Sequence, residues 1–283
     1  MSDGQSADQE EYWNSGAGQQ WVRLAPMLDA TMQPVLDVLL SAAALVPGER
    51  VLDVGCGTGA SLRQAAEAVS PTGLATGADI SRTMLEAAAE RIRDLPQART
   101  LLADVARHDF GEERADAMIS RFGVMFFEDT PAAFANIARG LRPGGRMVFA
   151  AWGPVEENPW FTSPAQAAKT VLSAPPSVDP DDPGPFAFRH IPRVVAMLDA
   201  AGLVEIEGRA VALDLTPAGD LAEVAGVSTL VGPAQRAIAH FEADDVQVEA
   251  VRREIEARFA GFVGPQGVRI PAMINLFRAR VAV

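Results

Sequence analysis

The sequence holds a single cysteine, Cys56, a single lysine, Lys169, a single tyrosine, Tyr12, and three histidines. One cysteine excludes an internal disulfide and fits a reducing compartment. The basic residues are otherwise all arginine, which beside the abundant alanine reads as a GC-rich coding bias rather than as a binding surface. Positive charge is scarce overall: 24 basic against 37 acidic residues give a net charge of −13 and no basic cluster. Such a surface repels phosphate backbones, so no nucleic-acid partner is expected. No apolar run reaches the ~18–20 residues of a membrane span. The polar start MSDGQSADQEEYW has neither the basic nor the apolar region of a signal peptide. The expectation is a soluble cytoplasmic protein acting on a small molecule, with homodimerisation left open. Apolar residues make up 48% of 283, enough for one large domain or two small ones.

Hydrophobic spacing divides the rest. Residues 1–11 read as a disordered acidic tail. A helical region covers roughly 13–46, with Leu28, Met32, Val35, Leu36 and Leu39 on one stripe. Strands are predicted at 50–54, 74–79, 99–103, 115–120 and 146–152, and helices at 60–68, 81–93 and 131–141, the last capped by Thr130 with Pro131 in its first turn. This alternation predicts a parallel sheet with helices on both faces. Residues 174–186 hold five prolines and three aspartates and read as a stiff loop. Beyond it come a helix at 191–201, a strand at 204–215, helices through 220–262 broken at Gly232-Pro233, and a final strand at 267–281.

The stretch VLDVGCGTGA, residues 51–60, carries the chemistry. An apolar strand bears an acid, Asp53, and then three glycines at alternate positions, 55, 57 and 59. One reading is a tight strand–helix turn with no ligand. A second is a dinucleotide site, since Gly55-x-Gly57-x-x-Ala60 meets the permissive Rossmann pattern with Asp79 ending the next strand. A third is a cationic adenosyl cofactor. A pyrophosphate brings about two negative charges to the helix N-terminus, where Asp53 would oppose them. A sulfonium and an ammonium would instead be favoured by that carboxylate.

D-x-G-x-G-x-G at 53–59 resembles the first motif of class I S-adenosylmethionine (SAM)-dependent methyltransferases. GADISRTML, LLADV, ADAMISRFGVMFF and LRPGGRMVFAAW resemble, in order, the second motif, the third, the fourth strand with its loop, and the turn and fifth strand. The resemblance spans about residues 45–152 and implies an α/β fold: a Rossmann-like, doubly wound, seven-stranded sheet with an antiparallel last strand, plus a helical cap. The layout it suggests is a helical lid at 12–46, a SAM-binding core at 47–152, a cap insertion at 153–200, and the last two strands at 201–283 with a second cap insertion at 217–266. The implied cofactor is SAM. Asp53, Gly55, Cys56, Gly57, Gly59, Ile80, Met84, Ser120 and Trp21 would surround it, with Asp79 at the ribose and Asp104 and Val105 at the adenine.

Several of these residues have plainer roles open to them. Asp79 and Ser81 are each able to cap a helix, and Cys56 reads as a small residue that fits its turn. Trp13, Phe122, Met125, Phe126, Trp152 and Trp160 are candidates for the substrate pocket, and any one of them would serve equally as core. Glycines 16 and 18 separate Trp13 from Trp21 in a segment expected to close over the site. His190 is a candidate general base or a helix N-terminal polar residue; His108 and His240 read as surface. No metal site is expected, because neither an HxxxE spacing nor a carboxylate cluster is present. The absence of an N/D-P-P-Y/F motif argues against amino methylation of nucleobases, and one cysteine cannot furnish the set expected of an arsenite methyltransferase. The expected activity is methylation of O, N or C on a small apolar or aromatic metabolite. Alternatives are a quinone-biosynthesis C-methyltransferase, a non-catalytic SAM-binding sensor or assembly protein, and an NAD-dependent oxidoreductase.

Overall fold

The protein, a computed structural model describing residues 3–283, is built on one seven-stranded sheet. The strands are β1 (Arg50–Val54), β2 (Leu74–Asp79), β3 (Ala98–Leu102), β4 (Ala115–Arg121), β5 (Leu141–Trp152), β6 (Leu203–Leu215) and β9 (Ile270–Val281), in the order β3-β2-β1-β4-β5-β9-β6. β1 to β5 run parallel, and β9 lies antiparallel between β5 and β6. The small hairpin β7 (Val263–Gly264) and β8 (Gly267–Val268) accounts for the first residues expected in the last strand. The central strand β1 is buried from Val51 onward, as a parallel strand covered on both faces must be. β6, at the edge, exposes much of its length to water.

The lid expected at 12–46 divides in two. From Ala25 onward, α2 (Gly16–Ala43) is a core helix. Its stripe Leu28, Met32, Val35, Leu36, Leu39 and Ala43 is buried, and it packs across β4, β5 and β6. Pro34 cannot donate to the Ala30 carbonyl four residues back. The Thr216 hydroxyl donates to that carbonyl instead, at 2.8 Å, docking the end of β6 on the helix. The helix ends at Ala44, in a left-handed conformation. There Arg146 donates to the Ala43 and Ala44 carbonyls and forks onto Glu49, with both N···O distances 2.7 Å. This pair holds the Glu49 carboxyl below its ordinary pKa.

Residues 1–11 were expected to be unstructured. Residues 1 and 2 lie outside the described residues; from Asp3 the chain is helical, as α1 (Asp3–Asn14). The segment has no apolar stripe of its own. Its helix-favouring glutamates and glutamines are carried by the docking of the last turn, described below.

The cap differs from the expected insertion at 153–200. α6 (Pro159–Val171) does join α8 (Leu221–Leu230), α9 (Gly232–His240) and α10 (Asp245–Phe259) in a four-helix cluster. α7 (Ile191–Ala200) does not: it packs on β6 and α5 (Thr130–Arg139), burying Val194 and Leu198. Gly208 makes that docking feasible, because a Cβ there would lie 2.6 Å from Ile191 Cγ2. The helical region 220–262 breaks twice, at Gly232 and again before Asp244, whose capping box with Gln247 starts α10. The cap of α5 is Asp129, which accepts from Ala132 N, and not Thr130. Trp160, expected in the substrate pocket, is buried in the cap and stacks on Phe259 at 6.3 Å.

Asn158, fully buried, joins the cap to the sheet. It donates to the Pro154 and Met273 carbonyls and accepts from Met273 N, at 2.8 to 3.1 Å. Asn158→Ala strands these backbone groups without a partner, so a loss of about 2–4 kcal/mol is expected. Urea denaturation of the two proteins measures it; equal midpoints would show that the cap is held by packing alone.

Candidate active site

β1 ends in a turn that runs under the start of β4's loop. Gly55 has φ +66, and a Cβ on it would stand 2.6 Å from Gly123 Cα, so only glycine fits there. The crossing is tied by Ser120, buried at the end of β4. Its hydroxyl donates to Val54 O at 2.7 Å and accepts from Gly123 N at 3.1 Å. Ser120, expected at the cofactor, is thus engaged within the protein. Gly57 differs from Gly55: a Cβ there would meet only Met84 Sδ, at 3.6 Å. Its space is not filled by the fold, which is where a ligand-free turn and a ligand cradle part company. Cys56 packs its side chain toward Gly77, and burial pushes its thiol well above the ordinary pKa, so it is an inert small residue in this turn.

Two carboxylates flank the turn. Asp53 is fully buried; its Oδ2 accepts from Ser61 Oγ at 2.6 Å, and its Oδ1 has no partner. Burial raises its pKa to about 7, against the pull of Ser61 and Arg121 and with a further push from Asp79. Asp79 ends β2. Its Oδ2 accepts from Gly57 N and its Oδ1 from Ser81 N, each at 2.9 Å. Burial also raises the Asp79 pKa, opposed by these backbone donors. Ser81 is the true cap of α4 (Arg82–Arg91), accepting from Met84 N. Asp79 therefore shapes the glycine turn, and a plain cap role does not account for it. Neither acid faces a phosphate-binding cation in the turn itself, which weighs against a pyrophosphate there. An orphaned, buried carboxylate oxygen instead fits a cationic ligand.

At the carboxyl ends of β2 and β3, a cavity of about 490 Å³ opens beside Ile80, Leu102, Asn14 and Arg82. Asp104 begins the turn after β3, accepting from Ala106 N at 3.0 Å. Val105 is buried, and its carbonyl accepts from Asn136.

The N-terminal segment closes over this edge. Ser81 Oγ donates to Trp13 O at 2.8 Å, Arg82 N to Asn14 Oδ1 at 2.9 Å, and Asn14 Nδ2 to Ile80 O at 3.4 Å. No side chain fits at Gly18, whose Cβ would stand on Trp13 O. The Trp13 ring meets Trp21 at 5.7 Å and Phe126 at 6.1 Å, edge to face. Beyond β4 lies a second aromatic group. Phe122 has φ +65, a conformation that costs a bulky residue about 1–3 kcal/mol. Its ring stacks on Trp152 at 4.3 Å; Trp152 meets Phe161, and Phe161 meets Phe186, both at 4.9 Å. The proline-rich loop reaches the same place, Gly184 N donating to Met125 O at 3.0 Å. Met125 itself is buried, presenting backbone there.

His190 is not among the residues gathered here. It is exposed at the N-terminus of α7, its side chain does not cap that helix, and it sits on a helix devoted to β6 and α5. Two residues that sequence reasoning passed over do enter the site. Arg121, ending β4, donates to Asp29 Oδ1 of α2 at 3.1 Å, and Asp29 also pairs with Arg91 at 2.7 Å. An arginine closing an apolar strand carries no signal of this in sequence.

The Asp53 pKa makes a pH prediction. Its folded value, about 7, lies above its ordinary 3.8. The protonated acid therefore favours folding, and that contribution is lost as pH rises from about 4 through about 7. Asp53→Asn should gain stability relative to wild type across this window, by a few kcal/mol in total, and then stay level above it. Urea unfolding of both proteins from pH 5 to 8 measures the difference; a constant gap would mean that Asp53 titrates normally.

Comparison with known proteins bears on the same elements. A family described as "Methyltransferase domain" matches residues 51–145. The chain is 36% identical over 200 residues to nocamycin O-methyltransferase of Saccharothrix syringae, covering 65% of this chain and 71% of that one. It is 33% identical over 156 residues to aklanonic acid methyltransferase DauC of Streptomyces sp. (strain C5), covering 54% of this chain and 65% of that one. In fold it is similar to the YcgJ protein of Bacillus subtilis, with a TM-score of 0.56 at 19% identity, covering 89% of this chain and 99% of that one. The family match begins within β1 and ends within β5, enclosing the glycine turn, Asp79 and the loop after β4, and the chain belongs to the class I SAM-dependent methyltransferases.

Proposed function

We propose that this protein moves the methyl group of SAM to an oxygen of a small, flat aromatic or polycyclic metabolite. The observation that carries the reading is the chain of ring contacts from Phe122 and Trp152, at the carboxyl ends of β4 and β5, to Phe161 of α6 and Phe186 of the proline-rich loop, stacked at Phe122–Trp152 and edge to face beyond it. Such faces take planar apolar molecules by offset or edge-on stacking. The choice of oxygen is supported by the relative whose name states O-methylation. Larger acceptors than a compact quinone are favoured because half of the wall, Phe161 and Phe186, is supplied by the cap helix α6 and the proline-rich loop, which lie beyond the family match.

When bound, SAM supplies an electrophilic methyl on a good leaving group. The chain's part is to bind, align and keep water out. Asp79 holds the ribose side of the turn, Asp53 offers a buried acceptor to the ammonium, and the Trp13 latch on Ser81 closes the edge. None of the three histidines serves the wall: His108 packs on Phe110, His240 on Phe241, and His190 is exposed. The acceptor oxygen is therefore taken already deprotonated, and proximity does the rest.

Two outcomes test this. A panel of phenols and carboxylic acids with isotope-labelled SAM should give O-methylated product, with the kinetic pKa moving to follow each acceptor's own pKa. A kinetic pKa that stays fixed across acceptors would instead point to an enzyme base. Asp79→Asn should weaken S-adenosylhomocysteine by about 10- to 150-fold, the loss of charge-assisted bonds worth about 1.5–3 kcal/mol. Asp79→Ala should in addition destabilise the free protein, since Gly57 N and Ser81 N lose their acceptor. Calorimetry and thermal unfolding read the two effects, and unchanged affinity in both variants would remove Asp79 from the ligand site.

A further inference from the structure

The register of β1 against β4 places Ile119 beside Asp53. Two residues on, Arg121 stands level with Gly55 on the face that α2 covers. Its side chain is only 16% exposed. Nη2 is bonded to Asp29, and Nη1 is buried with no partner. Asp29 cannot neutralise it, because Arg91 shares the same carboxylate at 2.7 Å. Two guanidiniums and one carboxylate leave an excess positive charge beneath the lid, in a chain whose net charge is −13. The Asp53 carboxyl feels the Arg121 charge, yet its Oδ1 likewise has no partner. A guanidinium and a carboxyl group thus flank the glycine turn, each with one buried atom, Arg121 Nη1 and Asp53 Oδ1, left without a hydrogen bond. Groups of this kind are costly to leave unmatched. A single molecule carrying an ammonium and a carboxylate on neighbouring atoms would satisfy both.

We propose that Arg121 is the carboxylate subsite for the amino-acid end of the cofactor, opposite Asp53 at the ammonium, so that the two form one receptor for a zwitterion. The proposal rests on the reading that the glycine turn binds SAM. A guanidinium with a free Nη suits a carboxylate, whose oxygens accept charge-assisted bonds. Because Asp29 comes from α2, the helix that follows the lid, Arg121 also couples the amino-acid end of the cofactor to the segment bearing Trp13 and Trp21.

The test compares two ligands on the full chain by calorimetry. S-adenosylhomocysteine carries the amino-acid end; 5′-methylthioadenosine has the same nucleoside and thioether without it. Arg121→Met should weaken S-adenosylhomocysteine by about 10- to 150-fold and leave methylthioadenosine within about twofold. Arg121→Lys keeps the charge but not the fork, and should fall between wild type and Arg121→Met. It carries the test if Arg121→Met does not fold. Equal losses for both ligands would make Arg121 a structural residue and overturn the proposal. Unchanged affinity for both, with a raised KM for a carboxylate acceptor, would assign the subsite to the substrate and overturn it as well. Wild-type protein that binds neither ligand would overturn the SAM reading itself, a result distinct from either of these.

Discussion

The site depends on one close approach, the crossing of Gly55 over Gly123. Two backbones meet there at a distance that admits no side chain, and the Ser120 hydroxyl bonds both sides of the crossing. This fixes the end of β1 against the end of β4. The glycine turn with its two acids is thereby held beside Arg121 and Phe122. Widening the crossing by one methyl group would move the cofactor side and the acceptor side apart, and methyl transfer tolerates little of that.

Charge is arranged in the same small volume. Asp53 and Asp79 are placed by strand ends, and burial raises the pKa of each. Arg91, Asp29 and Arg121 bring α4, α2 and β4 together around one shared carboxylate. The chain carries a net charge of −13, but both signs are buried around the glycine turn, with Asp53 Oδ1 and Arg121 Nη1 each lacking a hydrogen-bond partner. That pattern suits a ligand that is itself both cationic and anionic. It suits a pyrophosphate badly.

Around this centre the chain adds parts with less regular logic. Asn158 ties the cap to β9, Thr216 uses the carbonyl freed by Pro34 to tie β6 to α2, and the proline-rich loop reaches Met125. These attachments bring Phe161 and Phe186 to Trp152 and complete the aromatic wall. Half of the wall comes from the sheet, as Phe122 and Trp152, and half from the cap helix and the loop, as Phe161 and Phe186.

Local chemistry made much of this legible before any fold was known. The strand carrying Asp53, the glycines and Asp79 closing β2 follow from short-range steric and hydrogen-bonding rules, and most element boundaries fall within a residue or two of expectation, although β5 starts five residues before the expected 146 and β9 three after the expected 267. Other features had no local signature. Asp129 and Thr130 are equally good caps on paper, and only the backbone's path chose between them. Trp160 is as aromatic as Trp152, yet a helix turn sends it into the cap against Phe259. α7 reads as part of an insertion until Gly208 opens a place for it on β6. His190 looks placed for catalysis until that docking carries it away. Arg121 is the clearest case: its neighbours Asp29 and Asp53 are 92 and 68 residues distant in sequence, and only strand register and the passage of α2 bring them together. The sequence by itself determined the cofactor turn, because that turn is made of consecutive residues obeying backbone sterics. The tertiary structure alone decided which charges and rings face it, because those contacts are made by side chains from separate elements competing for the same buried volume.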